Sequence, residues 1–498
     1  MTRDYILIKL ERIIKEKLQI ECGDINPDSN LMEDINMSSF DMMLFISSVE
    51  EEFNFKFNYE NLRKIITIND IVREISKFIK ENKERDKLLI LGSDSITKHV
   101  LNYCKENNIY TIISDSRTPD ISPVKLLADE YWLIDYSHID ELEKRCVENK
   151  ITGVFAGAVE TALDNVRLLT KRLNLPFYAS DYALEVCRNK ALFKEKCKEV
   201  GLPVPAEYNL DNMSEDEINR IEYPVIVKPV DSYCSYGVSK CNNKEELDNY
   251  YKKAKEYSLS NKVLVEQYIE GRQVMAFYIL NDNKPILLGV TDCDPCNIEN
   301  GRSRKNIVAT SKNLYDEFIF TKHKKMINLF KNINAKNGVF FVQAMRRDDG
   351  ECFFIDPGYR LDGMGGWLSF SSITGFNSMQ YMVNFALNKK VTLDDNFTKE
   401  IEESIHKKAA AGCLLYCKSG KIERIENLND IGNIKNCEVV FQTYKEGDTI
   451  PNGISMKNII SSLCVTANSE EEAYTIIEEL IDRIRIYDEN GNDLLLRD

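Results

Sequence analysis

The chain has 498 residues, of which 43% are hydrophobic, and a formal net charge of −15. This length predicts several domains, three or four if each takes roughly 100–200 residues. The acidic balance argues against a nucleic-acid partner, and no segment is long and apolar enough to span a bilayer. The N-terminus lacks the charged-then-apolar layout of a signal peptide, and the 14 cysteines are scattered through helix-like and strand-like segments. We therefore expect reduced thiols in a cytoplasmic protein that binds neither nucleic acid nor membrane.

Residues 1–84 predict a small, acidic, all-helical domain. Apolar residues recur at helical spacing between Ile6 and Leu18, as on the buried face of a helix. After a long loop, a second helix is predicted to start at Ser38 and Ser39 and to run to Phe53. Serine is a good N-cap, so helix capping is the simplest interpretation of these two serines.

The wider pattern, residues 31–41 followed by residues 49–53, resembles acyl or peptidyl carrier proteins. In that family the serine at the start of the second helix carries a 4′-phosphopantetheine arm, and the matching residue here is Ser39. The usual acidic residue before that serine is replaced by Ser38, and the usual leucine after it by Phe40. The resemblance implies a phosphopantetheine arm on Ser39 and biosynthetic partner enzymes that dock on this domain. The alternative is a carrier-like docking module without the arm.

Residues 88–185 predict a parallel α/β domain after a charged linker at residues 80–87. A strand at residues 88–91 leads through Gly92 into a helix at residues 97–106, and further strands alternate with helical stretches. This βαβ rhythm indicates a parallel sheet. Because Gly92 stands alone, the glycine fingerprint of a dinucleotide site is incomplete.

A lysine ends a short strand in the middle of the chain. Residues 225–227 form a β-branched run that is followed by Lys228 and by a turn-rich loop containing Ser235 and Gly237. Backbone N–H groups of such a loop and the lysine ammonium suit polyphosphate binding. The alternative is an ordinary surface hairpin with an exposed lysine. Further on, residues 263–271 predict a strand carrying Glu266, which either meets an adenine amino group or is solvated at a strand end.

Residues 338–344 and 351–356 predict a hairpin whose turn has Gly350 correctly placed. Each strand ends in an oxygen-bearing side chain, Gln343 and Asp356, and Arg360 follows. Two oxygen ligands at neighbouring strand ends suit Mg²⁺ held between protein and phosphates. The arginine suits charge that develops on a phosphoryl or acyl group.

In this order and spacing the segments from residue 88 to the C-terminus resemble the ATP-grasp ligases. The resemblance implies that Lys190 and Lys228 contact the phosphates of ATP. It places Ser235 and Gly237 in the loop that closes over those phosphates, and Glu266 at the adenine.

The same resemblance implies that Gln343 and Asp356 bind magnesium and that Arg360 contacts the acyl-phosphate and its tetrahedral successor. The family's commonest metal motif is Glu-x-Asn-x-Arg, and here Gly358 stands in place of its asparagine. The glutamate that the family often has near the ribose is replaced here by Gln273. Fewer anionic ligands weaken Mg²⁺ binding, so a catalytically silent site is the alternative. A loop with Arg302, Arg304 and Lys305 either holds a substrate carboxylate or is simply solvated.

The predicted fold class is therefore α/β multidomain. A carrier-like helical bundle (1–84) precedes a parallel pre-ATP-grasp domain (88–185), an ATP-grasp domain of two α+β nucleotide-binding subdomains (186–390) and a C-terminal α+β domain (391–498). The predicted function is ADP-forming activation of a carboxylic or amino acid, with transfer to the phosphopantetheine thiol or to an amine. The alternatives are an amide-forming ligase that uses the carrier as docking site or acyl donor, and an ATP-binding scaffold.

Overall fold

The computed structural model describes residues 3–20, 26–53, 55–57, 62, 65–83, 85–231, 237–258, 260–293, 306–394, 396–452 and 456–497. The chain divides into two compact units, residues 1–86 and residues 87–498. The further division of the second unit at residues 185 and 390 stays a prediction.

The first unit is helical. Leu10, Phe45 and Ile71 come from three different helices and are fully buried in one core, as the helical spacing of the apolar residues requires. Within the described residues of this unit, the prediction of a helical domain is confirmed. The helices within the described ranges of this unit are α1 (Arg3–Arg12), which continues into a π-helical turn at Ile13–Lys17, α2 (Ser39–Phe53) and α3 (Ile68–Lys83).

The second unit begins with the predicted parallel sheet, in the strand order β3-β2-β1-β4. Its strands are β1 (Lys87–Leu91), β2 (Tyr110–Ser114), β3 (Glu130–Trp132) and β4 (Gly153–Phe155). The apolar side chains of β1 are buried on both faces of the sheet, which is typical of parallel strands. The helices of this region are α4 (Thr97–Glu106), α5 (Ile139–Asn149), α6 (Leu163–Leu173), α7 (Asp181–Arg188) and α8 (Lys190–Glu199).

A small antiparallel sheet follows, in the order β5-β8-β6-β7. Its strands are β5 (Glu207–Tyr208), β6 (Val225–Pro229), β7 (Ser239–Cys241) and β8 (Val263–Gln267), with the helices α9 (Glu215–Ile218) and α10 (Lys244–Tyr257). Val225 and Val227 pack with Leu247 of α10 on one face of this sheet. The other face is therefore available to the alternating residues of the same strands.

A large antiparallel sheet of eight strands forms the centre of the second unit, in the order β13-β12-β9-β10-β11-β14-β18-β16. Its strands are β9 (Arg272–Asn281), β10 (Lys284–Cys293), β11 (Asn306–Thr310), β12 (Gly338–Arg346), β13 (Cys352–Gly358), β14 (Ala409–Tyr416), β16 (Cys437–Gln442) and β18 (Ile459–Ala467). Between them lie the helices α11 (Lys312–Thr321), α12 (His323–Asn332), α13 (Gly366–Thr374), α14 (Ser378–Ala386) and α15 (Phe397–Lys407).

Aromatic side chains cover both faces of the large sheet. On one face the Tyr278 ring contacts Phe318 of α11 and Phe330 of α12. On the other face, Phe277 contacts Phe341 of β12 and Phe370 of α13. Because neighbouring residues of a strand point to opposite faces, Phe341 and Gln343 share the face of Phe277.

The C-terminal part adds a three-stranded sheet, in the order β17-β15-β19. It consists of β15 (Gly420–Glu426), β17 (Thr449–Ile450) and β19 (Arg485–Asp488), and helix α16 (Glu470–Arg483) packs nearby. Of the helices in the described ranges, none combines the length and apolarity needed to cross a bilayer. The eleven cysteines that the structure describes are buried.

Candidate functional site

Lys228 lies on the face of the small sheet opposite helix α10, and it is only 6% exposed. Its Nζ donates a hydrogen bond of 2.6 Å to Oε1 of Glu266 on β8. Glu266 is itself 3% exposed, so the interpretation of a solvated glutamate at a strand end is wrong. Burial, together with repulsion from Lys194, lowers the pKa of Lys228 well below its usual range. This lysine is therefore held in a desolvated recess and not on an open hairpin.

Lys194 is a third cation at this place, which the sequence analysis missed. It lies one turn after Lys190 on α8 and is fully buried, between Phe193 and Cys197. Its Nζ makes a short contact with Oε2 of Glu266, the oxygen that Lys228 leaves free. A lysine on the apolar stripe of a helix was the signal in the sequence, because an unpaired buried ammonium is strongly unfavourable.

The hairpin of β12 and β13 brings the predicted metal residues side by side, since Gln343 faces Asp356 in the register. Nζ of Lys190, at the start of α8, lies 3.6 Å from Oδ1 of Asp356. The carboxylate occupies a recess with 38% of the side chain exposed. Limited hydration raises the pKa of Asp356, and the nearby Lys190 and Lys228 oppose that shift. The structure thus brings Lys190, Lys228 and Asp356 together.

Steric crowding explains why Gly358 stands where the metal motif has an asparagine. It faces Phe341 across the hairpin, and a Cβ atom at this glycine would lie 2.1 Å from the Phe341 ring. The phenylalanine thus fills the space in which an asparagine side chain would lie. The Arg360 guanidinium lies 5.5 Å from the centroid of the same Phe341 ring, within cation–π range.

Arg360 follows β13 and pairs with Glu160, which begins a short 3-10 turn (Glu160–Ala162) after β4. Its Nη1 donates to the backbone oxygen of Leu361 at 2.8 Å. The preceding Tyr359 is fixed by its backbone oxygen, which accepts a 2.6 Å hydrogen bond from the hydroxyl of Tyr178. Arg360 is therefore oriented by residues from the parallel sheet region as well as by the hairpin. Glu160 was not predicted from the sequence, and we see no sequence signal for it.

The metal-binding capacity rests on few protein oxygens. Gln343 and Asp356 supply an amide and a carboxylate oxygen, and nowhere in the described ranges do three or more His, Cys, Asp or Glu side chains cluster as a metal site. Mg²⁺ is commonly held by one or two carboxylates, waters and the oxygens of a bound polyphosphate. This donor set therefore fits Mg²⁺ that arrives with a nucleotide, and the two residues would hold it by their side-chain oxygens.

Only part of the predicted phosphate loop lies in the described ranges. Gly237 has a φ of +76°, a conformation that favours glycine, and a Cβ atom there would lie 2.9 Å from Cγ of Pro229. Ser235 lies outside the described residues, and so does the loop with Arg302, Arg304 and Lys305. The roles of Ser235 and Gly237 at the nucleotide stay predictions.

In the first unit, the two serines before α2 have different environments. The Ser38 backbone N–H and hydroxyl both donate to Oδ2 of Asp41, and the Asp41 N–H donates back to the Ser38 hydroxyl. Ser38 is therefore the N-cap. Ser39 is the first residue of α2 and is exposed. Its side chain is not needed for the cap, which leaves its hydroxyl accessible for modification.

Two family profiles match the chain. The profile described as phosphopantetheine attachment site matches residues 9–75, and the profile described as D-ala D-ala ligase C-terminus matches residues 199–296. Among curated proteins, the arginine-specific large chain of carbamoyl phosphate synthase from Neurospora crassa is 24% identical over 327 residues. That alignment covers 61% of this chain and 27% of the relative. The chain thus spans about a quarter of the length of this relative.

Solved structures have a fold similar to that of most of this chain. An L-amino acid ligase from Bacillus licheniformis is similar with a TM-score of 0.66 at 20% identity, covering 82% of this chain and 99% of that chain. A phosphoribosylglycinamide synthetase from Anaerococcus prevotii has a TM-score of 0.61 at 18% identity, with coverage of 82% and 100%. The chain therefore combines a phosphopantetheine-attachment carrier domain with an ATP-grasp ligase fold. Within that group, its profile match is to the D-ala D-ala ligase C-terminus.

Proposed function

We propose that the chain is an ADP-forming ligase that activates a carboxylate with ATP and loads the acyl group onto its own carrier domain. The observation that carries this proposal is the convergence of Lys190, Lys228 and Asp356 in one recess of the ATP-grasp fold. Cations and a hard oxygen donor together suit a polyphosphate with Mg²⁺. When bound, Mg²⁺ supplies positive charge that offsets the charge of the phosphate oxygens.

The chemistry proceeds in two substitutions. In the first, a substrate carboxylate oxygen attacks the γ-phosphorus, the bond between that phosphorus and the bridging oxygen breaks, and ADP leaves. In the second, the pantetheine sulfur attacks the carbonyl carbon of the acyl-phosphate, the carbon–oxygen bond to phosphate breaks, and the thiol proton leaves with phosphate or to solvent. Neither step needs a protein nucleophile, because positioning and electrostatic stabilisation supply the catalysis.

The chain's residues take distinct parts in this proposal. Lys190 and Lys228 hold the phosphates, Gln343 and Asp356 face the metal, and Glu266 lies on the adenine side. Arg360 contacts the acyl-phosphate. Its Nη2 donates to none of the described residues, and its Nε and Nη1 are held by Glu160 and by the backbone oxygen of Leu361. A preoriented guanidinium is suited to charge that develops during acyl transfer.

The fused carrier favours the thiol as acceptor. A tethered thiol reaches a high local concentration without any affinity between the domains, and the accessible Ser39 is the attachment residue. An amine acceptor is the second candidate, favoured by the structural similarity to a protein described as an L-amino acid ligase. A nucleotide-binding scaffold is the third, favoured by Gly358 and Gln343 in place of the usual metal ligands.

The test uses the full chain after incubation with a phosphopantetheinyl transferase and coenzyme A. Panels of carboxylic and amino acids are then screened for ADP release and for mass gain of the chain, with hydroxylamine added separately to trap the acyl-phosphate. We expect ADP release and hydroxamate with one acid class, and an acyl adduct that disappears in Ser39→Ala.

Each alternative has its own outcome. An amide product that forms equally in Ser39→Ala identifies the amine ligase. No ADP release with any acid, together with unchanged ATP affinity in Asp356→Ala, identifies the scaffold and contradicts the proposal.

A further inference from the structure

An apolar segment lies on the surface at one end of the parallel sheet. Of the fifteen large apolar side chains that the structure describes as exposed in the second unit, five lie between residues 121 and 133. Each of the five is between 40% and 65% exposed. We call them the edge patch, which consists of Ile121, Leu126, Leu127, Tyr131 and Leu133. Single exposed apolar residues are common on protein surfaces, whereas a concentration of this kind marks an interaction surface.

Polar side chains of the same segment point inwards. Lys125 is fully buried, and its Nζ donates a 2.6 Å hydrogen bond to the backbone oxygen of Asp115 and a short one to that of Arg117. Ser122 is also buried, and its hydroxyl oxygen lies 2.6 Å from that of Ser93. Lysine is among the residues that are least often fully buried. The segment therefore buries polar side chains while it leaves leucines in water, which is the reverse of an ordinary surface loop.

Strand β3 gives the edge patch an open edge. It is the end strand in the order β3-β2-β1-β4, so one of its edges has no neighbouring strand within the described ranges. Trp132 of β3 and Ile134 after it point into the core, and the alternating Tyr131 and Leu133 point to the other face, where they are exposed. A 3-10 turn (Pro123–Leu127) packs against this strand. Exposed apolar edge strands readily pair with another chain unless something covers them.

The size of the edge patch fits a contact with a second copy of the chain. Its five side chains leave roughly 500 Å² of apolar surface in water, close to the largest patch that a typical monomer exposes. A two-fold contact buries this surface on both copies, and together with a polar rim it reaches about 1,200–1,600 Å² in total, the size of a stable interface.

The rim of the edge patch has charges of both signs. The exposed Asp129 precedes β3, and the Arg145 guanidinium of α5 lies 5.6 Å from the centroid of the Trp132 ring. In a two-fold contact each copy supplies both charges, so that opposite charges can face each other around the apolar centre. A second copy of the chain is therefore an electrostatically suitable occupant.

We infer that the chain forms a two-fold symmetric dimer in which the edge patches of two copies pack against each other. In such a contact one surface meets itself, so a patch with an apolar centre and a mixed rim is its own partner. The two β3 strands then lie antiparallel, with the two four-stranded sheets side by side. This inference is independent of the proposed ligase reaction, because no residue of the edge patch belongs to the proposed nucleotide site.

The test is the mass of the full chain, measured by sedimentation velocity at concentrations from about 0.1 to 100 μM, a range that suits an interface of this size. The wild type should be a dimer at the upper end of this range. Leu126→Glu combined with Leu133→Glu should weaken dimerisation by roughly 100-fold or more, because the contact would bury unpaired charges. The matched control is Phe320→Glu on α11, an apolar residue that is 92% exposed outside the edge patch, and it should dimerise like the wild type.

A variant of opposite charge distinguishes a second copy from another partner. Leu126→Lys combined with Leu133→Lys should also be monomeric alone, and an equimolar mixture with the glutamate variant should form a heterodimer, because opposite charges then meet across the axis. A mixture that stays monomeric contradicts the two-fold arrangement. A wild type that is monomeric at every concentration overturns the inference and assigns the edge patch to a different partner. A dimer that persists unchanged in both double variants overturns it too, since that dimer uses another surface.

Discussion

Arg360 and Glu160 form an ion pair between two segments that lie 200 positions apart in the chain. The glutamate belongs to the turn after β4 of the parallel sheet, and the arginine follows the hairpin that carries Asp356. The pair is partly enclosed, with 20% of the arginine and 31% of the glutamate side chain exposed. This contact holds the Nε side of the guanidinium, and the proposed reaction assigns the remaining Nη2 to the acyl-phosphate.

The first prediction concerns this orientation. Glu160→Gln keeps the shape of the side chain but removes the charge that holds Arg360, so we expect acid-dependent ADP release to fall by roughly 10- to 100-fold in kcat. The loss should appear in kcat more than in KM for ATP, because Lys190 and Lys228, which the proposed function assigns to the nucleotide, are unchanged. Steady-state ADP release measures both constants.

The control for that prediction is Asp140→Asn, which breaks an exposed ion pair with Arg172 in the same region of the chain. Exposed ion pairs of this kind contribute little to stability, so the activity of Asp140→Asn should stay within about 2-fold of the wild type. Full activity in Glu160→Gln would show that Arg360 does not depend on this carboxylate.

The second prediction concerns Gly358 and Phe341. Gly358→Asn places a side chain where the Phe341 ring lies, so we expect a loss of about 1–3 kcal/mol in the free energy of unfolding, as for other overpacked sites. We expect no gain in Mg²⁺ affinity, because the new amide has no room beside Asp356. Thermal unfolding and Mg²⁺ titration of nucleotide binding measure the two effects.

Two further variants show whether the ring is the obstacle. Gly432→Asn is the control, since a Cβ atom there meets nothing within 4 Å, and it should leave the unfolding midpoint nearly unchanged. Adding Phe341→Ala to Gly358→Asn vacates the space for the new side chain. The double variant should therefore lose less free energy of unfolding than the sum of the losses of the two single variants. If the losses of the two single variants add strictly in the double variant, the Phe341 ring is not the obstacle to a side chain at position 358.

The sequence predicted those features of the site that depend on one segment or on one hairpin. Gln343 and Asp356 were expected side by side because Gly350 fixes the turn and therefore the register between their strands. Lys228 was expected at a strand end, and it lies in the last part of β6.

Residues brought in by packing between distant segments escaped the sequence analysis. Glu160 meets Arg360 only because the parallel sheet packs against the hairpin region, and no local pattern encodes that distance. Lys194 is different, since a lysine between buried Phe193 and Cys197 was visible as an anomaly on an apolar stripe. Its partner Glu266 was not visible, because the partnership depends on how α8 meets the small sheet.

The third prediction concerns pH and Mg²⁺. Limited hydration raises the pKa of Asp356 above its ordinary value of about 3.9, and Mg²⁺ binds the deprotonated carboxylate. Mg²⁺ affinity should therefore be retained above the raised pKa and be lost as the pH falls through it. Mg²⁺ titrations of ADP binding at several pH values between about 4 and 8 measure this loss.

Asp356→Asn separates the protein carboxylate from the titration of the nucleotide itself. Its Mg²⁺ affinity should be low at every pH, with only the slope that free MgADP shows. A wild-type curve parallel to that of Asp356→Asn would contradict a metal role for this carboxylate.

The last prediction separates the two serines of the carrier domain. Ser38→Ala removes the N-cap of α2, which should cost about 1 kcal/mol of local stability and speed hydrogen exchange of the first-turn amides, Asp41 included. The pKa of Asp41, held below its usual value by the hydrogen bonds from Ser38, should rise towards it. Phosphopantetheine attachment at Ser39 should persist, as seen in intact mass. Ser39→Ala should behave in the opposite way, with normal exchange in α2 and no mass gain, and attachment that survives Ser39→Ala but fails in Ser38→Ala would assign the arm to Ser38 instead.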